Sequence, residues 1–420
     1  MATLKYNPFR PNDIVHSGMF VGRLDELTLI EKCLFQTKHK NPQHFIVQGE
    51  RGIGKSSLLF AVNMLAEGTL PPFAAPEFNF LSVSIDLGGC TTQNDVVRKI
   101  GRGLRKEIGS KNAVKEKAKA AWEWLSNWEV LGVSFSKEQI VLDTEEVAEQ
   151  FVDNIAAFCE AMGSDIDGIL FLIDEADRPS VDAGLGAYLK LIAERLKWQG
   201  CDRIVFGLAG LPTLLGKLRD SHESSPRLFS TMLLEPLEID ERKRVVRNGI
   251  EEANRKNAVK TTITEEAIDF LAELSEGYPH FVQQFSYSAF DHDKDNEIDI
   301  EDVGEGAFDD GGALTQLGDK FFKDMYLARV SSAEYRRVLD AMAEYGDDWV
   351  PRKTIIKESG VSEANVANAL RALKAKEVIL QDATLRGLYK LPTKSFAAWI
   401  NAIRSARAKS DALKGSHFEG

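Results

Sequence analysis

The sequence has few of the features that mark secreted, membrane-spanning or zinc-binding proteins. Its cysteines lie far apart and form no C-x-x-C pair, which indicates reduced, mostly buried thiols without a disulfide framework or a metal site. No apolar run is long enough to cross a bilayer, and the N-terminus, MATLKYNPFRPND, lacks the hydrophobic region of a signal peptide. These absences predict a cytoplasmic protein without a membrane partner.

An excess of positive charge is also missing, because 52 lysines and arginines stand against 64 acids and the formal net charge is −12. Such an acidic chain does not suit a protein that coats nucleic acid along its whole surface. Residues 351–410 are the exception, with 12 lysines and arginines against 4 acids, which is a net charge of +8. The C-terminal region is therefore expected to meet a different partner from the rest of the chain.

Residues 49–56, GERGIGKS, fit the pattern G-x-x-x-x-G-K-[ST] without a mismatch. A short apolar strand, His44–Gln48, precedes them and an amphipathic helix over residues 57–65 follows, which is the context that phosphate binding at a helix N-terminus requires. We expect Lys55 to reach the β- and γ-phosphates of ATP and the Ser56 hydroxyl to complete the shell of a Mg²⁺ ion. The predicted nucleotide-binding residues here are Gly49, Glu50, Arg51, Gly52, Ile53, Gly54, Lys55, Ser56 and Ser57.

A second motif follows the apolar run Gly168–Ile173, which reads as a central parallel strand because it is apolar on both faces. The run ends in Asp174 and Glu175, at the strand end where open α/β sheets bind ligands. We expect Asp174 to hold Mg²⁺ and Glu175 to act as the general base on the attacking water. The alternative is a polar strand end without a catalytic role.

Arg227 stands in a predicted loop between a helix and the last strand of the sheet, residues 231–234. In ring-forming ATPases an arginine at this place reaches the γ-phosphate bound to a neighbouring subunit. This interpretation predicts a homo-oligomer with nucleotide at the subunit interfaces. A surface arginine, or one that pairs within its own chain, is the other reading.

From Glu238 onward the strands stop, and a block of helices extends to about residue 328. Within it, residues 291–302 imitate a calcium loop, but Asn296 replaces the expected glycine and Asp302 the expected glutamate, which favours an acidic loop between helices.

The region after Ser331 has the pattern of three short helices followed by two strands, which predicts a winged helix. Its candidate DNA-binding residues are Arg371, Lys374, Lys376, Arg386 and Lys390. A solvated basic face on a winged helix that docks onto protein is the alternative.

With these motifs the chain resembles the AAA+-related ATPases of the origin-recognition-like and STAND groups, particularly prokaryotic members with a C-terminal winged helix. The matching pieces, in family order, are FVGRLDE (20–26), GERGIGKSS (49–57), LFLIDEAD (170–177), FGLAGLP (206–212), PRLFSTMLLEPL (226–237), GYPHF (277–281) and LRGLYKLP (385–392). The resemblance implies an ATPase core with a helical lid and nucleotide between them.

By this resemblance, Val21 and Gly22 would line the adenine pocket, and Pro279 or His280 would approach the nucleotide from the lid. The chain departs from the AAA+ pattern at two places. It has Pro279-His280 where an arginine is usual, and the Gly-x-Pro form at 277–279 is the STAND-like version. In addition, Leu208-Ala209-Gly210 offers no polar sensor at the end of the fourth strand. Both departures favour a slow nucleotide switch over rapid hydrolysis.

The sequence therefore predicts an α/β P-loop ATPase core with a parallel sheet, followed by an α-helical lid and a C-terminal winged helix. The expected boundaries are an irregular segment at 1–19, the core at 20–237 with an insertion at about 107–140, the lid at 238–328, the winged helix at 329–400 and a tail at 401–420. The expected function is an ATP-binding and slowly ATP-hydrolysing, Mg²⁺-dependent switch whose nucleotide state controls assembly and a winged-helix output. DNA binding in replication or mobile-element processes is one form that this output could take. A STAND-type signalling or defence ATPase, with a winged helix that binds protein and autoinhibits, is the second hypothesis. Both hypotheses include a protein partner.

Overall fold

A computed structural model of the chain describes residues 5–13, 19–73, 76–119, 122–123, 144–309, 311–330, 332–376, 378–382, 385 and 387–415. Contacts between residues divide the chain into two compact units. One unit is Gly22–Glu235, and the other combines Met1–Val21 with Pro236–Gly420. Each unit is described below by itself.

The first unit is built on a five-stranded parallel sheet in the order β2-β3-β4-β1-β5. The strands are β1 His44–Gln48, β2 Phe80–Asp86, β3 Gly168–Asp174, β4 Ile204–Gly210 and β5 Phe229–Leu233. Strands β1, β3 and β4 are almost wholly buried, as expected for a sheet covered by helices on both faces. The predicted parallel α/β core is confirmed, although β5 begins two residues earlier than the expected Thr231, because Phe229 already pairs with His44.

Seven α-helices accompany this sheet in the described part of the first unit: α1 Leu24–Lys38, α2 Lys55–Ala66, α3 Gln93–Ser110, α4 Asn112–Lys117, α5 Thr144–Met162, α6 Leu185–Trp198 and α7 Leu214–Ser221. Strands β1 and β3 run in the same direction, so their carboxyl ends meet at one edge. That edge receives the loop that leads into α2 and the acidic end of β3. Most of the predicted insertion at about 107–140 lies outside the described residues.

The second unit begins as a helical block with a short parallel bridge between β6, Thr262–Ile263, and β7, Glu297–Ile298. Its helices are α8 Ile239–Lys256, α9 Glu265–Leu274, α10 Pro279–His292, α11 Ile300–Phe308 and α12 Ala313–Leu317, followed by two π-helical turns, Gly318–Phe322 and Asp324–Ala328. The N-terminal segment joins this unit, because Phe9 is buried in its core and the Tyr6 hydroxyl donates to Glu252 at 2.8 Å.

The acidic loop at 291–302 uses its carboxylates to organise its own backbone. Asp293 Oδ1 accepts the backbone N–H groups of Asp295 and Asn296, at 3.1 and 2.7 Å. Asp299 caps the N-terminus of α11 and forms a capping box with Asp302. This use of the acids is the arrangement expected of a loop between helices.

The remaining elements of the second unit form the winged helix. They are α13 Ala333–Ala343, β8 Val350–Pro351, α14 Arg352–Ser359, α15 Glu363–Ala375, β9 Leu380–Gln381, β10 Leu388–Lys390 and the long helix α16 Lys394–Gly415. The wing is a three-stranded sheet in the order β8-β10-β9, so β8 adds a strand that the sequence pattern did not indicate. In the described part of the chain, no helix combines the length and the apolar character that crossing a membrane requires.

Candidate nucleotide-binding site

The loop between β1 and α2 curls because two of its glycines adopt left-handed backbone conformations. Gly52 has a φ of 80° and Gly54 a φ of 100°, values that L-residues with a Cβ rarely adopt. Gly54 is the residue that precedes the first turn of α2, and Gly49 N–H donates to Gly210 O of β4 at 3.2 Å. The glycines thus place the N-terminus of α2 at the carboxyl edge of the sheet, the position from which a helix can bind phosphate.

Lys55 is the first residue of α2, and its side chain folds back over the loop. Its Nζ donates to the backbone oxygens of Gly49 and Glu50, both at 2.8 Å. Burial lowers the pKa of Lys55, while the nearby carboxylates of Asp174 and Asp177 oppose that shift. The ammonium group is therefore held at the loop by weak neutral acceptors, which a phosphate would replace with stronger charge-assisted bonds.

Ser56 and Asp174 meet directly, although they are far apart in the sequence. The Ser56 hydroxyl donates to Asp174 Oδ2 at 2.6 Å, while Asp174 Oδ1 accepts the backbone N–H of Glu175 at 2.8 Å. A hydroxyl and a carboxylate are the oxygen ligands that Mg²⁺ prefers in phosphate-binding sites. The two residues present therefore fit a Mg²⁺ ion in the place that the sequence predicts.

Glu175 follows Asp174 in a left-handed conformation, with a φ of 50°. Its carboxylate lies 3.4 Å from the Arg178 guanidinium, and a Cβ placed on Gly88 would lie 2.5 Å from Glu175 Oε2. The absence of a side chain at Gly88 therefore leaves the room in which this carboxylate sits. Strain at a non-glycine residue of this kind is concentrated at functional sites.

The sequence pattern did not indicate several residues that contact this carboxylate or the glycine-rich loop. Arg178 pairs with Glu175, and Asp86 ends β2 in register with Asp174 at the end of β3. The Arg23 guanidinium donates to Ile53 O at 3.1 Å and also contacts Glu26, so it supports the phosphate loop. The polar end of β2, which matches the polar end of β3, was the signal that could have found Asp86.

The end of β4 carries no polar side chain of its own, as the sequence indicates. Its surroundings are nevertheless polar, because Asp177 Oδ1 accepts the backbone N–H of Leu211 at 2.9 Å. From β1, the side-chain amide of Gln48 donates to Pro212 O at 2.8 Å. Both groups are engaged in holding the β4–α7 connection.

Arg227 lies in a 3₁₀ turn, Ser225–Leu228, immediately before β5. Its side chain is exposed, and within the residues that the structure describes its guanidinium takes part in no hydrogen bond or ion pair. The same turn is anchored by Ser225, whose hydroxyl donates to Leu218 O at 2.8 Å. Arg227 is therefore carried outward on a firmly held turn.

The resemblance assigns four further residues to the nucleotide: Val21 and Gly22, at the boundary between the two units, and Pro279 and His280, at the start of α10. Val21 is buried in the core of the second unit, and Gly22 begins the first unit with a φ of 76°. Pro279 is the first residue of α10. His280 Nε2 is buried and lacks a hydrogen-bond partner among the described residues, and burial, with Lys320 nearby, lowers the pKa of His280 to about 4. The imidazole is consequently neutral at physiological pH.

The basic residues assigned to DNA binding by the winged helix differ in how far their side chains are already engaged in contacts within the protein. Arg371 is exposed on α15, whereas Lys374 Nζ donates to Gln381 Oε1 at 2.7 Å. Lys376 Nζ donates to Arg329 O, and Lys390 Nζ lies 5.2 Å from the centroid of the Trp349 ring. Arg386 lies outside the described residues. Arg371 is thus the member of the set with its charge most open to a partner.

The architecture defines a class of fold: the chain has a P-loop ATPase core with a parallel sheet, followed by a helical block and a winged helix, as the sequence predicts. It is similar to the Walker-type ATPase of Pyrococcus abyssi, at 17% identity and a TM-score of 0.55, over 91% of this chain and 96% of that one. It is also similar to the ORC2 protein of Aeropyrum pernix in its ADPNP–ADP complexes, at 12% identity and a TM-score of 0.58, over 96% and 99% of the two chains.

One curated protein is similar in sequence, an uncharacterised HTH-type transcriptional regulator of Methanocaldococcus jannaschii. The two chains are 26% identical over 294 residues, which is 66% of this chain. The match spans 64% of the length of that regulator. No protein-family model matches the sequence.

Proposed function

We propose that this chain binds Mg·ATP at the carboxyl edge of its parallel sheet and hydrolyses it slowly, as a nucleotide-dependent switch. The observation that carries the proposal is the hydrogen bond of 2.6 Å between Ser56 and Asp174, beside the Lys55 ammonium and the N-terminus of α2. The structural relatives, a Walker-type ATPase and an ORC2 protein in complex with ADPNP and ADP, support the same proposal.

In the proposed reaction, Lys55 leaves the carbonyls of the loop and contacts the β- and γ-phosphates, while Ser56 and Asp174 hold Mg²⁺. When bound, Mg²⁺ would neutralise charge on the phosphates. Glu175 orients the attacking water and accepts its proton, once its carboxylate is free of Arg178.

ATP turnover by the purified chain tests the proposal, and chelation of Mg²⁺ with EDTA should abolish that turnover. Turnover that persists in EDTA contradicts the assignment of Ser56 and Asp174.

The exposed Arg227 supports a second part of the proposal, namely that ATP joins two copies of the chain. Arg227→Ala should leave ATP binding intact, lower turnover at least tenfold and prevent a slowly hydrolysed ATP analogue from enlarging the particle. Because the side chain is exposed, the substitution should change the free energy of unfolding by no more than about 0.5 kcal/mol. Particle size from light scattering, with ADP and with the analogue, is the measurement.

Arg219→Ala is the matched control for this experiment, since Arg219 is an exposed arginine on α7 in the same unit. It should behave as the wild-type chain does. A wild-type particle whose size is the same with both nucleotides would refute assembly through Arg227.

The winged helix and the basic C-terminal region support DNA as the partner of this switch, as does the similarity to an HTH-type regulator. We expect binding of double-stranded DNA to weaken steeply with salt, because phosphate contacts release counterions. Arg371→Ala should reduce the slope of log K against log salt by about 1, the value expected for one lost phosphate contact. Gel-shift titrations at several salt concentrations, with and without ATP, measure that slope.

Lys197→Ala, which removes an exposed charge from α6 in the other unit, is the control and should leave the slope unchanged. Full-length protein without affinity for DNA at low salt would overturn this part of the proposal and favour the second candidate function. That candidate is a STAND-type signalling or defence ATPase whose winged helix binds protein.

A contact within the second unit favours this second candidate. Glu276, in a left-handed conformation with a φ of 52°, accepts the backbone N–H groups of Lys394, at 2.7 Å, and of Ser395. It therefore caps α16, the helix that follows the wing, one residue before the Gly277-Tyr278-Pro279 turn. The helix that follows the wing is thus held by a contact within the protein, which is the kind of contact that autoinhibition by the winged helix requires.

A further inference from the structure

Two of the four cysteines lie together, although the sequence separates them widely. Cys159 is on the last turns of α5 and is only 4% exposed, whereas Cys201 follows α6 and is half-buried. Both line one cavity of about 880 Å³ in the first unit, which brings the two cysteine-bearing segments together. The carboxyl edge of the sheet, with Lys55 and Asp174, takes no part in this cavity.

Backbone geometry holds the Cys201 sulfur in place. Helix α6 ends in a Schellman motif, in which Gly200 N–H donates to Lys197 O at 3.1 Å and Cys201 N–H to Leu196 O at 2.9 Å. Gly200 supplies the left-handed residue that this motif requires, with a φ of 69°. Cys201 occupies the position that packs back against the helix, so its side chain points towards the core and α5.

Arg203 joins the two cysteine-bearing segments. Its guanidinium donates to Cys159 O at 2.6 Å and to Ile166 O at 3.0 Å, at the C-terminal end of α5. Its positive charge therefore lies beside both thiols, and positive charge favours the thiolate form. The other charged residues around the cavity are Lys40, Asp153, Glu160 and Asp202.

The two thiols differ in reactivity, and they differ from the other cysteines. Interaction with the Cys159 thiol, together with Arg203, lowers the pKa of Cys201, while the same interaction and burial raise the pKa of Cys159. Burial raises the pKa of Cys33 to about 11 and also raises the pKa of Cys90. Cys201 is thus both the more acidic and the more accessible sulfur.

We propose that Cys201 and Cys159 form a peroxide-sensitive thiol pair, with Cys201 as the attacking sulfur and Cys159 as the resolving sulfur. The Cys201 thiolate attacks one oxygen of a hydroperoxide, the O–O bond breaks, and sulfenic acid and a hydroxide or alkoxide form. The Cys159 thiol, losing its proton, then attacks the sulfenic sulfur. The S–O bond breaks, water leaves, and an intrachain disulfide results. Two electrons pass from the thiols to the peroxide.

The disulfide would join the end of α5 to the cap of α6, at the edge of the sheet where β4 begins. This edge is opposite the carboxyl edge that carries the P-loop, since all five strands are parallel. Oxidation should therefore raise the melting temperature by constraining the unfolded chain, without blocking ATP binding.

The experiment treats the full chain with stoichiometric hydrogen peroxide at neutral pH, alkylates the remaining thiols and maps the peptides without reduction. The expected product is one intrachain pair, Cys159 with Cys201, lighter by two hydrogen atoms and reopened by dithiothreitol. Cys33 and Cys90 should stay as thiols and serve as internal controls.

Two variants test which cysteine attacks the peroxide and which cysteine resolves the sulfenic acid. Cys159→Ser should stop the reaction at a sulfenic acid on Cys201, which dimedone traps, and Cys201→Ser should abolish both products. Should either variant fold poorly, the peptide map of the wild-type chain decides alone. The proposal is overturned if Cys201 remains a thiol, if it passes to sulfinic acid with Cys159 still reduced, or if the disulfide joins two chains.

Discussion

Glu175→Gln should leave ATP binding within about threefold of the wild-type chain and reduce turnover by a factor of about 10² to 10⁴, the usual contribution of a general base. The amide keeps the size and one acceptor oxygen of the carboxylate but cannot accept a proton from water. The lost ion pair with Arg178 is largely exposed, so it should cost no more than about 1 kcal/mol of stability. Equilibrium binding of a fluorescent ATP analogue and single-turnover hydrolysis measure the two quantities separately.

Glu194→Gln is the matched control, because Glu194, like Glu175, pairs at the surface with a basic residue close to it in the sequence. Its turnover should equal that of the wild-type chain. Undiminished turnover in Glu175→Gln would remove Glu175 from the reaction, whereas a loss of ATP affinity in that variant would assign it to binding.

Lys55→Ala should abolish measurable ATP binding. The ammonium is held beside the phosphate loop by two neutral carbonyl groups, and burial makes an unpaired charge there costly, so its interaction with anionic phosphates is strong. The loop itself should survive, since its shape comes from the left-handed backbone conformations of Gly52 and Gly54. Isothermal titration calorimetry with Mg·ATP measures the ATP affinity, and a thermal melt shows whether the variant is folded.

Lys106→Ala is the control for this substitution, because Lys106 is an exposed lysine on α3 in the same unit and its loss changes the net charge equally. It should bind ATP as the wild-type chain does. Nucleotide affinity that is unchanged in Lys55→Ala would refute the assignment of residues 49–57 as a P-loop.

Asp174 and Glu175 have different partners in the structure, and this difference would make ATP hydrolysis slow. Asp174 already contacts Ser56, whereas the carboxylate of Glu175 contacts Arg178 and must change partners before it can orient water. The end of β4 contributes no polar side chain to help, because Asp177 and Gln48 are engaged with backbone groups. Both features are consistent with slow ATP hydrolysis.

Much of the architecture could be predicted from local patterns. The five strands of the sheet, the helix after GERGIGKS and the three helices of the winged helix each have an apolar period or a turn signal within a single segment. Strand β8 could not be predicted this way, because it is two residues long and exists only through its pairing with β10. The start of β5 was misplaced for the same reason, since its first residue is defined by its partner His44.

The sequence by itself determined the curled glycine-rich loop before α2 and the place of Asp174 and Glu175 at a strand end, because backbone conformation and strand burial follow from nearby residues. Only the tertiary structure decided which distant groups these residues touch: Ser56 on Asp174, Gly88 beside Glu175, Glu276 on the start of α16 and Cys159 beside Cys201. The physical reason is that such contacts depend on how helices pack on the sheet and on one another, and packing is set by the shapes of many side chains at once.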